Sequence, residues 1–425
     1  MSPTEKASQI GSKRAWFIWC LTALTFGYAF FQRVAPSVMV SELMVEFSIS
    51  AGVLGTLSAL YFYPYVLMQV PLGVLLDRYG ARALLTIALT IAGIGSIIFA
   101  TAETVSFAYI GRVLIGIGSA VGFLSTLAIA SKWFPPQRFA FLAGLVMFFG
   151  MISGVLAQGP LSAFVETYGW RTALWGLGGF SILLASAIFL FVRNAPEEAQ
   201  EQDKLTITWR QLGRNLKHAF GSLEVWKVAI VASTMSGPML ALGGLWGPPY
   251  LMAAYRLEGP YAATLVSSLL ISWAIFAPFS GWLSDRIEKR KPILLSGISI
   301  LTIATGAITF IPSMPLPVTI LILIIIGGSG ACMAVSFALA RENSQPQIGG
   351  AVTGVVNSLT VASGAVLQPG VGYILDKFWN GTTNNIGAPI YTPENFQTGF
   401  QLIFASCVVG LLVCFTLKDS SALSR

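Results

Sequence analysis

Apolar runs of about twenty residues, each closed by a short polar segment, follow one another from one end of the chain to the other. A run of that length spans the hydrocarbon core of a bilayer as a helix. The pattern predicts twelve helices, at 15–40, 50–76, 82–101, 105–132, 138–162, 170–192, 225–252, 261–284, 292–311, 317–340, 348–373 and 398–417. The first is too long for a signal-peptide core and lacks a small-residue cleavage site, so it reads as a retained helix. Several spans carry internal breakers: Pro36, Pro64, Pro71, Pro238, the Gly243-Gly244 pair and Pro278. Such breakers persist in a membrane where neighbouring helices or a wet cavity satisfy the freed backbone groups. The one long stretch that is polar throughout, NAPEEAQEQDKLTITWRQLGRNLKHAF at 194–220, divides the spans six and six. The predicted fold class is an all-α polytopic membrane protein of two pseudo-symmetric six-helix bundles, 1–192 and 225–425, joined by a cytoplasmic linker at 193–224.

Composition agrees and sets the orientation. Hydrophobic residues make up 55% and charged residues only 10%, against about 25% charged in a soluble domain. Of 25 Lys and Arg residues, 20 fall on the side predicted to hold both termini, and only Arg171, Arg256 and Lys377 on the other. The positive-inside bias therefore places both termini in the cytoplasm of a multi-pass inner-membrane protein. It also explains the net charge of +7 with the bilayer as partner and without nucleic acid. Cys20, Cys332, Cys407 and Cys414 lie inside apolar segments without CxxC spacing and read as small buried hydrophobes. His218 is alone in a polar loop. No metal site, cofactor or enzyme is expected, since no P-loop, HExxH or Ser/His/Asp set is present.

The two halves echo one another. GVLLDRYGAR (73–82) and GWLSDRIEKR (281–290) each follow the second span of a half. Gly73, Leu75, Asp77, Arg78 and Arg82 recur as Gly281, Leu283, Asp285, Arg286 and Arg290, all displaced by 208 positions. GVLAQGP (154–160) and GAVLQPG (364–370), in the fifth span of each half, both place Gln four residues after Gly. Two echoes at nearly one offset imply a duplicated six-helix unit around a midplane site. In the first loop, Gly73 and Gly80 permit close helix contact and a tight turn. Asp77 precedes the next helix, where the dipole favours a carboxylate, and the arginines hold the loop at the interface. The cluster reads as a latch that joins neighbouring helices and releases them when the halves rock.

The first loop matches G-x-L-x-D-R-x-G-x-R in full, and the second departs from it with Glu288 in place of glycine. The fourth span carries R-x-x-x-G-x-G as Arg112, Gly116 and Gly118, and KWFPPQR (132–138) and GWR (169–171) stand nearby. With these motifs the chain resembles the major facilitator superfamily over essentially its whole length. More narrowly, RVAPSVM (33–39) and YFYPYVLMQVPLGVLLDRYGAR (61–82) look like the phagosomal nutrient transporters of intracellular bacteria, and more distantly the lysosomal dipeptide transporters. The resemblance implies a monomeric secondary transporter of a small-molecule substrate, working by alternating access. In it Asp77, Arg78, Arg82, Asp285 and Arg286 would stabilise the outward-open state.

Two charges lie away from the membrane faces, Arg33 and Arg112. A central Arg costs about 2.5–3.5 kcal/mol on insertion scales, so it faces a wet cavity or a partner. No Asp or Glu lies comparably deep, so the pair suits a carboxylate or phosphate. For Arg112 the alternative is a structural bond to carbonyls of the broken first helix. Helical spacing adds polar faces: Asn357, Gly364 and Gln368; Met147, Gly154 and Gln158; Tyr28 with Gln32; Tyr61 with Tyr65. Each serves substrate or a neighbouring helix, and spacing leaves both open. Trp246 and Trp273 read as packing. Unless Glu42 or Glu103 serves, the missing deep carboxylate favours facilitated diffusion or exchange, or a substrate that carries its own proton. Amino acid, small peptide, nucleoside, organic acid and siderophore all fit as solutes. Two other readings stand beside transport of an anion: a non-transporting receptor or assembly protein that retains the fold, and efflux of amphipathic compounds.

Overall fold

The structure is a computed structural model that describes residues 11–135, 138–196, 209–344, 348–383 and 387–419. Twelve helices among the described residues are long and apolar enough to cross a membrane. Spans one to six are Lys13–Val38, Ala51–Gln69, Arg78–Ala100, Val105–Trp133, Phe141–Tyr168 and Trp170–Phe191. Spans seven to twelve are Leu223–Tyr255, Gly259–Ile287, Lys291–Phe310, Leu316–Glu342, Gly349–Lys377 and Pro393–Phe415. They fall on the predicted segments. Local chemistry sets several starts: Ser12 and Ser222 accept the N–H of Ala15 and Val225, and Thr392 with Asn395 forms a capping box.

The halves pack alike. Span one lies on five as seven lies on eleven, three on six as nine on twelve, and two on four as eight on ten. One contact shows the duplication at atomic scale. A Cβ on Gly116 would sit 2.3 Å from the Tyr61 carbonyl oxygen, and one on Gly327 2.1 Å from that of Leu269. Tyr61 and Leu269 are 208 positions apart, the displacement of the two signature loops. Glycine at 116 and 327 is what lets these backbones meet.

Spans one, four, seven and ten are each interrupted. Span one tightens into a 3-10 turn at Ala35–Val38, where Pro36 removes a donor. Span four divides into Val105–Ser119 and Gly122–Trp133. Span seven widens into a π-helix at Met239–Trp246, which contains the Gly243-Gly244 pair. Span ten passes through a 3-10 turn at Cys332–Ala334.

Two expectations are corrected here. His218 is not in a loop: Trp209–Gly221 forms a helix within the polar stretch, because Leu212, Leu216 and Ala219 recur at helical spacing. Gly73 makes no close helix contact in this conformation, since no atom lies within 4 Å of where its Cβ would stand. Gly80 does make the turn, with φ +75° between spans two and three. Its counterpart Glu288 also takes a positive φ, 55°, without the freedom of glycine. Glu288 is exposed, so Glu288→Gly is expected to stabilise the fold by about 1 kcal/mol, read as a raised melting midpoint in detergent. An unchanged or lowered midpoint would show that no strain resides there.

Candidate functional site

Arg33 and Arg112 converge on one aromatic ring. Tyr61 lies beneath both guanidinium groups, 5.6 Å from Arg33 and 4.9 Å from Arg112. Its hydroxyl donates to the Ala29 carbonyl, and its ring stacks on Tyr65. Arg33 is further flanked by Phe30 at 4.8 Å and Tyr65 at 5.1 Å. Both arginines are buried and neither forms an ion pair with a described residue. Arg112 donates from Nη1 to the Gln32 carbonyl at 2.7 Å, the carbonyl of the first helix just before its break. Its Nε and Nη2, and the Nε of Arg33, are buried with no hydrogen-bond partner among the described residues. Cation–π contact lowers the cost of holding these charges without supplying a counter-ion. Among the described residues, an anion is what the pair still lacks.

The other polar candidates divide by partner. Gln32 donates to Tyr28 Oη at 2.8 Å and Ser96 Oγ at 2.7 Å, which ties span one to span three. Gln158 stands at a break in span five, with φ −98° and ψ −107°, and donates to the Gly243 carbonyl at 2.7 Å. Gln368 donates to the Leu240 carbonyl at 2.8 Å. The two echoed glutamines thus hold the same π-helix from opposite sides and satisfy carbonyls that its wide turns free. Each keeps a buried Oε1 without a partner among the described residues. Asn357 is half-buried on span eleven. Trp246 packs, donating to the Gln368 carbonyl.

The halves meet on the face opposite the termini. Gln158 to Gly243 crosses between them, as does Tyr63 Oη to the Ala365 carbonyl at 3.0 Å. Further out, the Asp376 carboxylate accepts from Ser50 Oγ and the backbone N–H groups of Ala51 and Gly52. Glycines let the backbones touch: a Cβ on Gly55 would lie 2.6 Å from the Gln368 oxygen, and one on Gly372 2.3 Å from the Ala51 oxygen. Nearer the terminal face the situation reverses. Gly73 after span two, Gly144 in span five, Gly281 in span eight and Gly354 in span eleven have no atom within 4 Å of a Cβ position. The described bonds between halves close one face only.

The signature loops brace their own halves. Arg82 donates to the Phe189 carbonyl, and its N–H donates to Asn194 Oδ1 at 2.9 Å. Arg290, the echo of Arg82, pairs with Asp285 at 2.5 Å and Glu342 at 2.8 Å, and its N–H donates to Asp419 Oδ1 at 3.0 Å. The Glu342 and Asp285 carboxylates hold the Arg290 guanidinium above its ordinary pKa. Arg78 and Arg286 lie over Tyr79 and Trp282; the side chain of Asp77 lies outside the described residues. Sequence reading missed the capping pair Asn194 and Asp419, each just past the last span of its half, and it missed Asp376. For Asp376 the local cue was slight: Leu375-Asp376-Lys377 repeats the order Leu76-Asp77-Arg78 of the first signature loop but not that of the second, where Ser284 precedes Asp285.

Duplicated bundles, broken central spans and a seam closed on one face are the architecture of a membrane carrier. The profile of the Major Facilitator Superfamily matches residues 21–369, and the chain belongs to that family. It is 28% identical over 307 residues to a Bacillus subtilis (strain 168) protein named "Uncharacterized transporter YybO", covering 67% of this chain and 68% of that one. It is 24% identical over 306 residues to the "Probable sulfoacetate transporter SauU" of Cupriavidus necator, covering 68% and 67%. Among solved structures, a bacterial homologue of the human lysosomal transporter Spinster, inward-facing and unoccupied, superposes with a TM-score of 0.78 at 17% identity, over 95% of this chain and 97% of that one.

Proposed function

We propose that this secondary transporter carries a small anionic solute across the cytoplasmic membrane, with both termini cytoplasmic and Arg33 as the anion contact. One observation carries the reading: a buried guanidinium set among three rings, its Nε unpartnered and no carboxylate paired with it among the described residues. Burying such a charge costs several kcal/mol unless an anion arrives to share it, and a planar fork suits carboxylate or sulfonate. The likeness to a protein named as a sulfoacetate transporter supports the same class. Arg112, fixed to the Gln32 carbonyl, orients the first helix and adds field. Gln158 and Gln368 shape the site by holding the π-helix, and Asn357, half-buried on span eleven, is a polar group offered to solute. Residues 193–224 serve as the linker between halves, and the signature loops as the latch of the opposite state.

Counterflow tests this reading. Proteoliposomes loaded with a small carboxylate or sulfonate are expected to accumulate the same labelled solute, and not its uncharged amide. Accumulation of the amide at an equal rate would contradict it.

A further inference from the structure

Asp376 occupies a position that its own helix disfavours. It is the penultimate residue of span eleven, where the helix dipole presents its negative end and repels a carboxylate. What offsets this comes from the other half. Span two begins at Ala51 after Ser50, and the Ser50 side chain makes no capping bond to its own helix. Instead Ser50 Oγ donates to Asp376 Oδ2 at 2.6 Å, Gly52 N–H to the same oxygen at 2.8 Å, and Ala51 N–H to Oδ1 at 2.9 Å. Two first-turn donors of span two, which have no partner within their own helix, are thus capped across the seam, and Ala51 N–H also reaches Tyr391 Oη at 3.2 Å. Tyr391 Oη, from the loop before span twelve, donates to Oδ1 at 2.6 Å. Burial, and then the Asp376 carboxylate, push the Tyr391 hydroxyl well above its ordinary pKa, so it remains a donor.

We infer that Asp376 is the lock of the face opposite the termini, a positioning residue that sets how readily the carrier opens to that side. The inference rests on the alternating-access reading above. It needs no further ligand. When the halves part on this face, Asp376 loses three of its four donors and faces its own helix dipole, while span two loses its cap. Both sides of the seam therefore favour closure, chiefly through the Asp376 carboxylate, with Tyr391 Oη as a second acceptor for Ala51 N–H. Glu42 and Glu103, exposed near the same face, make none of these bonds.

The test uses the full-length protein in liposomes, its four native cysteines replaced, with one reporter thiol at a time and no solute. Ala365→Cys reports the buried seam, and Gly354→Cys the opposite, terminal side. With Asp376→Asn, modification of the Ala365→Cys thiol by an impermeant reagent from the outer side is expected to rise tenfold or more, roughly the worth of one hydrogen bond to a charged group. Modification at Gly354→Cys from the terminal side should fall. Ser50→Ala should give a smaller rise, and its effect should shrink in the Asp376→Asn background, as expected of two groups in one interaction. It also keeps the question open to measurement if Asp376→Asn fails to fold. Unchanged outer modification in either variant overturns the lock. A rise at both reporters, the mark of a loosened fold, overturns it as well. Because no solute is present, the outcome is independent of which anion is carried.

Discussion

Replacing Arg33 with glutamine is expected to weaken binding of the transported anion by about a hundredfold. Two charge-assisted hydrogen bonds from a guanidinium are worth roughly 3 kcal/mol once desolvated, and each 1.4 kcal/mol is a factor of ten. Arg33→Lys should recover part of this, because the charge returns without the fork and without the stacking on Phe30, Tyr61 and Tyr65. Folding should survive. No described carboxylate is paired with Arg33, so none is orphaned, and removing a buried charge relieves its desolvation cost. The measurement is a titration of purified wild type and variant with the anion found by counterflow, beside the melting midpoint of each. Undiminished affinity in Arg33→Gln would remove the side chain from the site.

Gly372→Ala is expected to stop the cycle with the outer face open. A methyl there would lie 2.3 Å from the Ala51 carbonyl oxygen and 2.7 Å from its carbon. Those are backbone atoms of a helix in the other half, and no rotamer change relieves the overlap. Gly55→Ala meets the same obstacle from the opposite side, against the backbone of Gln368 and Pro369. Transport should fall at least tenfold in both, while binding from the outer side persists, because the site itself is untouched. Gly176→Ala, in span six with nothing within 4 Å, should transport normally. Normal rates in Gly372→Ala would mean that the seam is not an obligatory state of the cycle.

The architecture was legible because bilayer physics leaves few choices. A backbone that must satisfy itself in hydrocarbon forms helices of one length, and the twelve apolar runs gave them with ends shifted by no more than seven residues. The duplication was legible in the signature loops, and it reaches as far as the matched contacts of Tyr61 and Leu269. Arg33 and Arg112 stood out because charge is costly in that setting. What spacing could not reveal was the partner of each polar group. Gln158 and Gln368 announced themselves as a pair, yet a Gln amide serves a solute or a carbonyl equally well. Only the π-helix at Met239–Trp246 shows that both bond to backbone. Asp376 was hidden for a related reason. Its meaning depends on Ser50, Ala51 and Gly52, more than 320 positions away, and the sequence carries no local trace of that pairing.

The central claim is that the two halves alternate, opening one face as they close the other. Spin-label distances measure this directly, with one pair at Gly73 and Gly354 on the terminal face and another at Glu46 and Trp379 on the opposite face. Adding the transported anion should redistribute both pairs in opposite senses, one shortening in the molecules where the other lengthens. Two distances that change together, or a terminal-face pair that never closes, would contradict the account.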